Sequence, residues 1–116
     1  MTIKYSKIDG HPYEIIDHDY MEHLHKTQKC CVCGASDIAV HHLQSRKRGR
    51  LDYPVVEEGD YIRGGVIVLC GKHHNLGGIQ ESIHQMGAEA FADRFGLDLP
   101  QIAIDLFLEY DDEKHD

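Results

Sequence analysis

Spaced apolar residues predict a strand pair and a helix at the start of the chain. Residues 1–16 carry isoleucines and tyrosines on both sides of Gly10, a pattern typical of a short strand or hairpin. Residues 17–29 place apolar side chains near one face at helical spacing, with Asp17 or Asp19 as the cap. We therefore expect a helix over this segment.

Two further strands are predicted in the middle of the chain. Residues 66–69 form a compact β-branched run, and residues 38–43 form a short apolar segment that contains a histidine pair. The stretch between them, residues 44–65, holds glycines, one proline and many charges. We expect a long polar loop there, and in a small domain such a loop is usually functional or disordered.

Helical patterns fill the last third of the chain. Residues 72–79 begin a helix or turn that two glycines interrupt, and residues 83–95 continue as a helix that Gly96 ends. A last helix is predicted over residues 98–111, with Pro100 in its first turn. Because no repeat or linker divides these elements, we expect one α+β domain.

Composition narrows the class of protein. Hydrophobic residues make up 41% of the 116 residues and there is no Trp, so the core is expected to be modest and a structural metal would add to its stability. No apolar run is long enough to span a membrane, and the first ten residues lack the apolar region of a secretory signal. We expect a cytoplasmic protein without a membrane partner.

The net charge of −8 argues against a general polyanion binder. The basic residues are nevertheless concentrated, since residues 45–50 hold four of the 12 Lys and Arg residues and no acid. This segment is either an ordinary solvated loop or a contact for DNA phosphates, which would be weak and sensitive to salt. The candidate DNA contacts are Arg46, Lys47, Arg48 and Arg50.

Cysteine spacing predicts a structural zinc site. Cys30 and Cys33 form a Cys-x-x-Cys pair, and Cys70 and His73 form a Cys-x-x-His pair 40 residues later. Two such halves typically close around one zinc ion, and without an export signal the cysteines are expected to be reduced ligands. The alternative is a set of buried residues without metal. Cys31 is expected to be a small buried apolar residue.

Four histidines outside that set suggest a second metal centre with a catalytic role: His41, His42, His74 and His84. Neighbouring residues on a strand point to opposite faces, so His41 and His42 are expected to have different roles, and the pattern leaves open which is which. An all-imidazole set suits Zn, Ni, Co or Mn better than Mg. The alternative is a zinc-only domain. We expect exposed side chains at His11, His18, His23, His25 and His115.

The order of these pieces resembles the HNH endonuclease family, and more narrowly the phage-type zinc-knuckle HNH nucleases related to RecA-dependent recombination nucleases. The resemblance covers roughly residues 20–97. It implies a small ββα-metal (HNH/His-Me finger) domain with a zinc knuckle, a motif core at residues 30–96, and flanking helices within a single domain of residues 1–116. The matching segments are Cys30 to Cys33 and residues 40–43, 68–75, 82–91 and 94–96.

The resemblance also implies roles for the candidate residues. Cys30, Cys33, Cys70 and His73 would bind the structural zinc; His41, His74 and His84 would hold a catalytic divalent metal (Zn, Ni, Mn or Mg); and His42 would be the general base. The chain departs from the family pattern in two places. Gly65 stands where an Asn is expected, about five residues before Cys70, and a glycine-containing gap precedes His84.

The expected function is that of a metal-dependent DNA endonuclease, which hydrolyses phosphodiester bonds with a histidine base. Expected partners are DNA, a recombinase or another phage or host protein, and a second copy in a homodimer. The location would be the host cytoplasm if the protein is phage-encoded. Two alternatives are a non-catalytic zinc-knuckle module that binds nucleic acid or protein, and a small metal-dependent hydrolase acting on another substrate.

Overall fold

The computed structural model describes residues 1–115 of the chain (for His115, the backbone alone), where strands lie on both sides of the first helix and three further helices come last. The strands are β1 (Thr2–Tyr5), β2 (Pro12–Ile16), β3 (Ile38–His42), β4 (Pro54–Glu57), β5 (Asp60–Gly64) and β6 (Val66–Cys70). The helices are α1 (His18–Thr27), α2 (Ile83–Met86), α3 (Ala88–Phe95) and α4 (Leu99–His115). The α+β class is thereby confirmed. None of the described helices is both long and apolar enough to cross a membrane.

The central sheet is the antiparallel pair of β3 and β6, in which Ile38 lies opposite Cys70 and His42 lies opposite Val66. Every residue of β6 is buried. Ile67 and Leu69 pack in a cluster with residues of α2 and α3, whereas Val66 and Val68 pack against α1. The strand is apolar throughout because both of its faces are covered.

The predicted long polar loop at residues 44–65 is wrong in part, since it contains a 3₁₀ turn (Arg46–Arg48) and the hairpin of β4 and β5. Glu58 and Gly59 form the tip of the hairpin with φ of 51° and 85°, as a tight two-residue hairpin turn requires. The inner side of the hairpin packs through buried Val55, while the outer side carries the charges that hide the strand pattern.

The N-terminal elements agree with the sequence pattern. Strands β1 and β2 form the expected hairpin, and α1 occupies the predicted helical segment. Asp17 is the cap, because its side chain accepts a hydrogen bond from the backbone N–H of Tyr20 at 3.1 Å.

The C-terminal helices differ in detail from the prediction. The expected single helix over residues 83–95 is split at Gly87, whose φ of 87° no helix accommodates, and it ends at Gly96 in the left-handed conformation. Helix α4 begins one residue later and ends four residues later than predicted.

Candidate metal centres

The Cys–His cluster is built from two tight turns that meet at the central sheet. Cys30 and Cys33 lie in the turn after α1, where the backbone N–H of Gly34 bonds to the Cys30 carbonyl at 2.9 Å and Gly34 adopts a φ of 76°. Cys70 is the last residue of β6, and His73 follows in a π-helical turn (Lys72–Leu76). The turn that holds Cys30 and Cys33 is joined to the sheet by a hydrogen bond from the Cys31 N–H to the Val68 carbonyl, at 3.0 Å.

The donor atoms of this cluster lie close together, and the distance between two of its sulfurs fits a tetrahedral zinc site. The Sγ atoms of Cys33 and Cys70 are 3.7 Å apart, and His73 Nδ1 lies 3.2 Å from Cys70 Sγ and 3.8 Å from Cys30 Sγ. Zn–S bonds of about 2.3 Å at tetrahedral angles place two sulfurs about 3.8 Å apart. A disulfide would need about 2.05 Å between the sulfurs, so the cysteines are free. The four residues therefore lie close together and could bind zinc.

The surroundings of the cluster favour a closed site. Cys30, Cys70 and His73 are buried, and the His73 ring packs edge-on against Phe95 with 5.3 Å between centroids. Burial lowers the pKa of His73, which keeps the imidazole neutral with a lone pair for a metal. Burial also raises the pKa of Cys31 to about 11, and this half-buried thiol packs against the core as an apolar side chain.

A second group of three imidazoles assembles from three different elements: His41 on β3, His74 in the π-helical turn and His84 on α2. One nitrogen from each ring lies within 4.8 Å of the other two, and the Nε2 atoms of His74 and His84 are 3.0 Å apart. The gap before His84 therefore does not prevent its approach. Three rings at this spacing could also hold a cation.

Electrostatics keep the ligand nitrogens of this second group available. Burial, together with the nearby His74 and His84, lowers the pKa of His41 to about 4. Burial and then His84 lower the pKa of His74. Imidazoles with lowered pKa values are neutral near pH 7, which is the form that binds a metal. The cluster is also accessible, because His84 is exposed and the other two rings are half-buried.

The π-helical turn directs consecutive histidines into different clusters. His73 enters the buried Cys–His cluster and His74 enters the open one. The Ser82 hydroxyl donates to the His74 carbonyl at 2.8 Å, and a Cβ at Gly77 would lie only 2.1 Å from the Lys72 carbonyl oxygen. The turn therefore closes only around a glycine at position 77.

His42 has surroundings unlike those of its neighbour His41, in keeping with the different roles expected for the two rings. Its Nε2 lies 2.8 Å from Oδ1 of Asp52, a carboxylate with no exposed surface. The sequence did not point to Asp52, because a single acid in a highly charged segment has no characteristic spacing from other site residues.

One pocket is lined both by the three-histidine cluster and by His42. Its volume is about 590 Å³, and its walls include His41, His42, His74 and His84 together with Arg46 and Lys47. Among the described residues no Asp or Glu lines it, although the chain has 20 acids. Among the predicted DNA contacts Arg46, Lys47 and Arg48 are exposed, whereas the Arg50 guanidinium is bound to Asp52 at 2.8 and 3.0 Å.

Of the remaining histidines, four whose side chains the structure describes lie outside both clusters: His11, His18, His23 and His25. His18 and His25 are exposed as predicted, but His11 and His23 are half-buried. His11 bonds to Glu57 at 2.6 Å, and the His23 ring packs on Tyr110 with 4.9 Å between centroids, which accounts for the difference. The side chain of His115 lies outside the described residues.

Comparisons of the chain with protein-family models, curated proteins and solved structures found no match. The resemblance to HNH nucleases therefore stays a prediction carried by the motif residues and by the geometry of the two clusters.

Proposed function

We propose that this protein is a metal-dependent endonuclease of the HNH type, with a ββα-metal core and His42 as the general base. The observation that carries the proposal is the shared pocket: three imidazoles within 4.8 Å of one another lie beside a fourth that is separately hydrogen-bonded. The antiparallel pair of β3 and β6, followed by helical segments that carry His74 and His84, supports the ββα assignment.

The donor set suits a divalent cation. His41, His74 and His84 would hold it, and nitrogen ligands of this kind favour Zn, Ni, Co or Mn over Mg. When bound, such a cation supplies Lewis acidity that neutralises charge on the phosphoryl oxygens and on the leaving oxygen. Zinc in the Cys–His cluster would have a structural role, because three of its four ligands are buried.

The protein side chains would carry out the remaining steps. His42 would accept a proton from the attacking water, a role that imidazole side chains commonly take in general-base catalysis. Arg46 and Lys47 attract the phosphates that flank the scissile bond. The described lining of the pocket has two basic residues and no acid, so a polyanion meets less repulsion there than the net charge of −8 implies.

The proposal is tested by incubating the protein with plasmid and with single-stranded DNA in Mg, Mn, Ni and Zn. We expect cleavage with at least one metal, and a loss of about 10²–10⁴-fold in His42→Ala, the usual contribution of a general base. His25→Ala is the matched control, since His25 is exposed and outside the pocket. Equal inertness of wild type and His42→Ala under all four conditions would contradict the proposal.

A second candidate is a non-catalytic zinc-knuckle module that binds nucleic acid or protein. The observation in its favour is that the Cys–His cluster has four ligands within 4.8 Å and needs none of the other histidines. Metal content separates the two candidates, because the nuclease would load two ions per chain and the module one.

A further inference from the structure

Asp52 is a buried carboxylate whose hydrogen-bonding capacity is saturated. Its Oδ1 accepts from His42 Nε2 and from Arg50 Nε, each at 2.8 Å. Its Oδ2 accepts from Arg50 Nη2 at 3.0 Å and from the backbone N–H of Asp17 at 2.8 Å. Buried charges persist in proteins when they are paired and hydrogen-bonded in this manner, so the carboxylate is a fixed anion that contacts His42 from outside the pocket lining.

The backbone around Asp52 holds the carboxylate in place. The Asp52 N–H donates to the Ile15 carbonyl at 2.9 Å, and the Ile15 N–H donates to the Arg50 carbonyl at 2.8 Å. Asp17, which donates its N–H to the carboxylate, also caps α1 and accepts a hydrogen bond from the Tyr53 hydroxyl. Asp52 is thus tied at once to β2, to the start of α1 and to Arg50.

This anchoring determines the tautomer of His42. An ionised carboxylate can only accept, so the His42 nitrogen that faces Asp52 must carry a hydrogen. Burial alone would raise the pKa of Asp52, but the hydrogen bonds from His42 and Arg50 outweigh burial and lower it to about 2. Because Nε2–H donates to Asp52, Nδ1 is the ring nitrogen that keeps a lone pair. His42 lines the pocket, so Nδ1 is the atom that would accept a proton there.

We propose that Asp52 is a positioning residue that fixes the Nε2–H tautomer and the orientation of His42, and that Arg50 serves to hold Asp52 instead of binding DNA phosphate. The proposal rests on the proposed function for its catalytic consequence. It revises the sequence-based expectation that Arg50 contacts DNA, because the Arg50 guanidinium donates from Nε and Nη2 to the buried carboxylate.

Two readouts test the proposal in the zinc-loaded full chain. The first is the His42 tautomer, read from long-range ¹H–¹⁵N correlations in the zinc-loaded protein without DNA. We expect Nε2–H in wild type and loss of this single tautomer in Asp52→Asn, where the amide can also donate. An Nδ1–H tautomer in wild type, or an unchanged one in Asp52→Asn, would overturn the proposal.

The second readout is cleavage kinetics. We expect kcat to fall about 10–100-fold in Asp52→Asn with KM little changed, the size of effect seen when hydrogen-bond partners that orient a metal-binding histidine are removed. Arg50→Lys keeps the charge but not the two-point contact, so it should lower kcat without changing the salt dependence of DNA binding. Lys26→Ala, an exposed cation on α1, is the matched control.

Arg50→Lys also covers the case in which Asp52→Asn fails to fold. An Arg50→Lys variant with wild-type kcat and a reduced salt slope would overturn the proposal, because Arg50 would then be a phosphate contact. Failure of the proposed function would appear separately, as a wild type inert with every metal, and the tautomer would still decide whether Asp52 orients His42.

Discussion

The Cys–His cluster and the three-histidine cluster share one short turn of the chain, but they differ in their number of donors and in their burial. The Cys–His cluster has four donors, three of them buried, and its sulfurs and nitrogen lie close enough to share one ion. The His cluster has three donors, none of them buried, and opens into a pocket with basic walls. A closed site is suited to stabilising a fold, and a site with an open position is suited to chemistry.

One short turn serves both sites. Cys70 and His73 complete the closed cluster, and His74, the next residue, begins the open one. Any change that loosens the turn should therefore affect both clusters, whereas a change at the outer end of either cluster should affect that cluster alone. Variants of the two clusters and of the turn test this separation.

The largest effect is expected from removing metal from the closed cluster. Structural zinc contributes about 10–16 kcal/mol of apparent binding free energy in small zinc domains, so a strong chelator, or Cys70→Ser, should abolish the cooperative melt. The measurement is a thermal melt followed by circular dichroism. His84→Ala, which removes an exposed ligand of the open cluster, should melt as wild type does. A chelated protein with an unchanged melt would disprove the structural-zinc claim.

The next largest effect is expected at the open cluster, which is formed by His41, His74 and His84. His74→Ala should bind one ion per chain where wild type binds two, and DNA cleavage should fall at least about 100-fold, because a catalytic metal contributes several kcal/mol to lowering the barrier. Metal content by mass spectrometry and single-turnover cleavage check this. The melt should stay close to that of wild type, since His73 and the three cysteines are untouched. One ion per wild-type chain would favour the binding module.

The shared turn is tested by a pair of glycine substitutions. Gly77→Ala places a Cβ 2.1 Å from the Lys72 carbonyl oxygen, so the turn must shift, and overpacking of this kind costs about 1–3 kcal/mol. Gly78→Ala meets nothing within 4 Å and should be nearly neutral. Denaturant unfolding measures the cost, and titration with Ni²⁺ measures the affinity of the open cluster, which should weaken only in Gly77→Ala. Equal behaviour of the two variants would mean that the turn does not couple the sites.

The smallest effect concerns the basic 3₁₀ turn. Replacing Arg46, Lys47 and Arg48 by Ala should lower the magnitude of the slope of log K against log salt by about 1 for each of these side chains that binds a phosphate. The triple variant should keep its melt, because all three side chains are exposed. Fluorescence anisotropy with a labelled oligonucleotide at several salt concentrations measures the slope. An unchanged slope would assign the basic turn to a role other than DNA binding.

The sequence was most informative where one physical requirement dominates. Metal ligands need fixed spacings, so Cys30 and Cys33 predicted their partners Cys70 and His73 before any geometry was known. A strand covered on both faces must be apolar throughout, so β6 was evident. Alternation along β3 predicted different surroundings for its two histidines, and His41 joins the three-histidine cluster while His42 bonds to Asp52.

The sequence was least informative where long-range contacts decide. The hairpin of β4 and β5 was missed because its outer face carries charges, and its pairing depends on burial of Val55 against Ile15 and Leu51. Asp52 was missed for a related reason, since its importance comes from neighbours on β2, α1 and β3 that are distant in the chain. The break at Gly87 was missed because a glycine within a helical pattern is often tolerated.

The most direct test of the central claim is anomalous diffraction from crystals of the protein loaded with zinc and then with nickel. We expect a zinc peak about 2.3 Å from the Sγ atoms of Cys30, Cys33 and Cys70 and about 2.0–2.1 Å from His73 Nδ1. We also expect a nickel peak within bonding distance of His41, His74 and His84. A bond between Cys33 and Cys70, an empty Cys–His cluster after loading, or three imidazoles that share no ion would contradict the assignment of two metal sites.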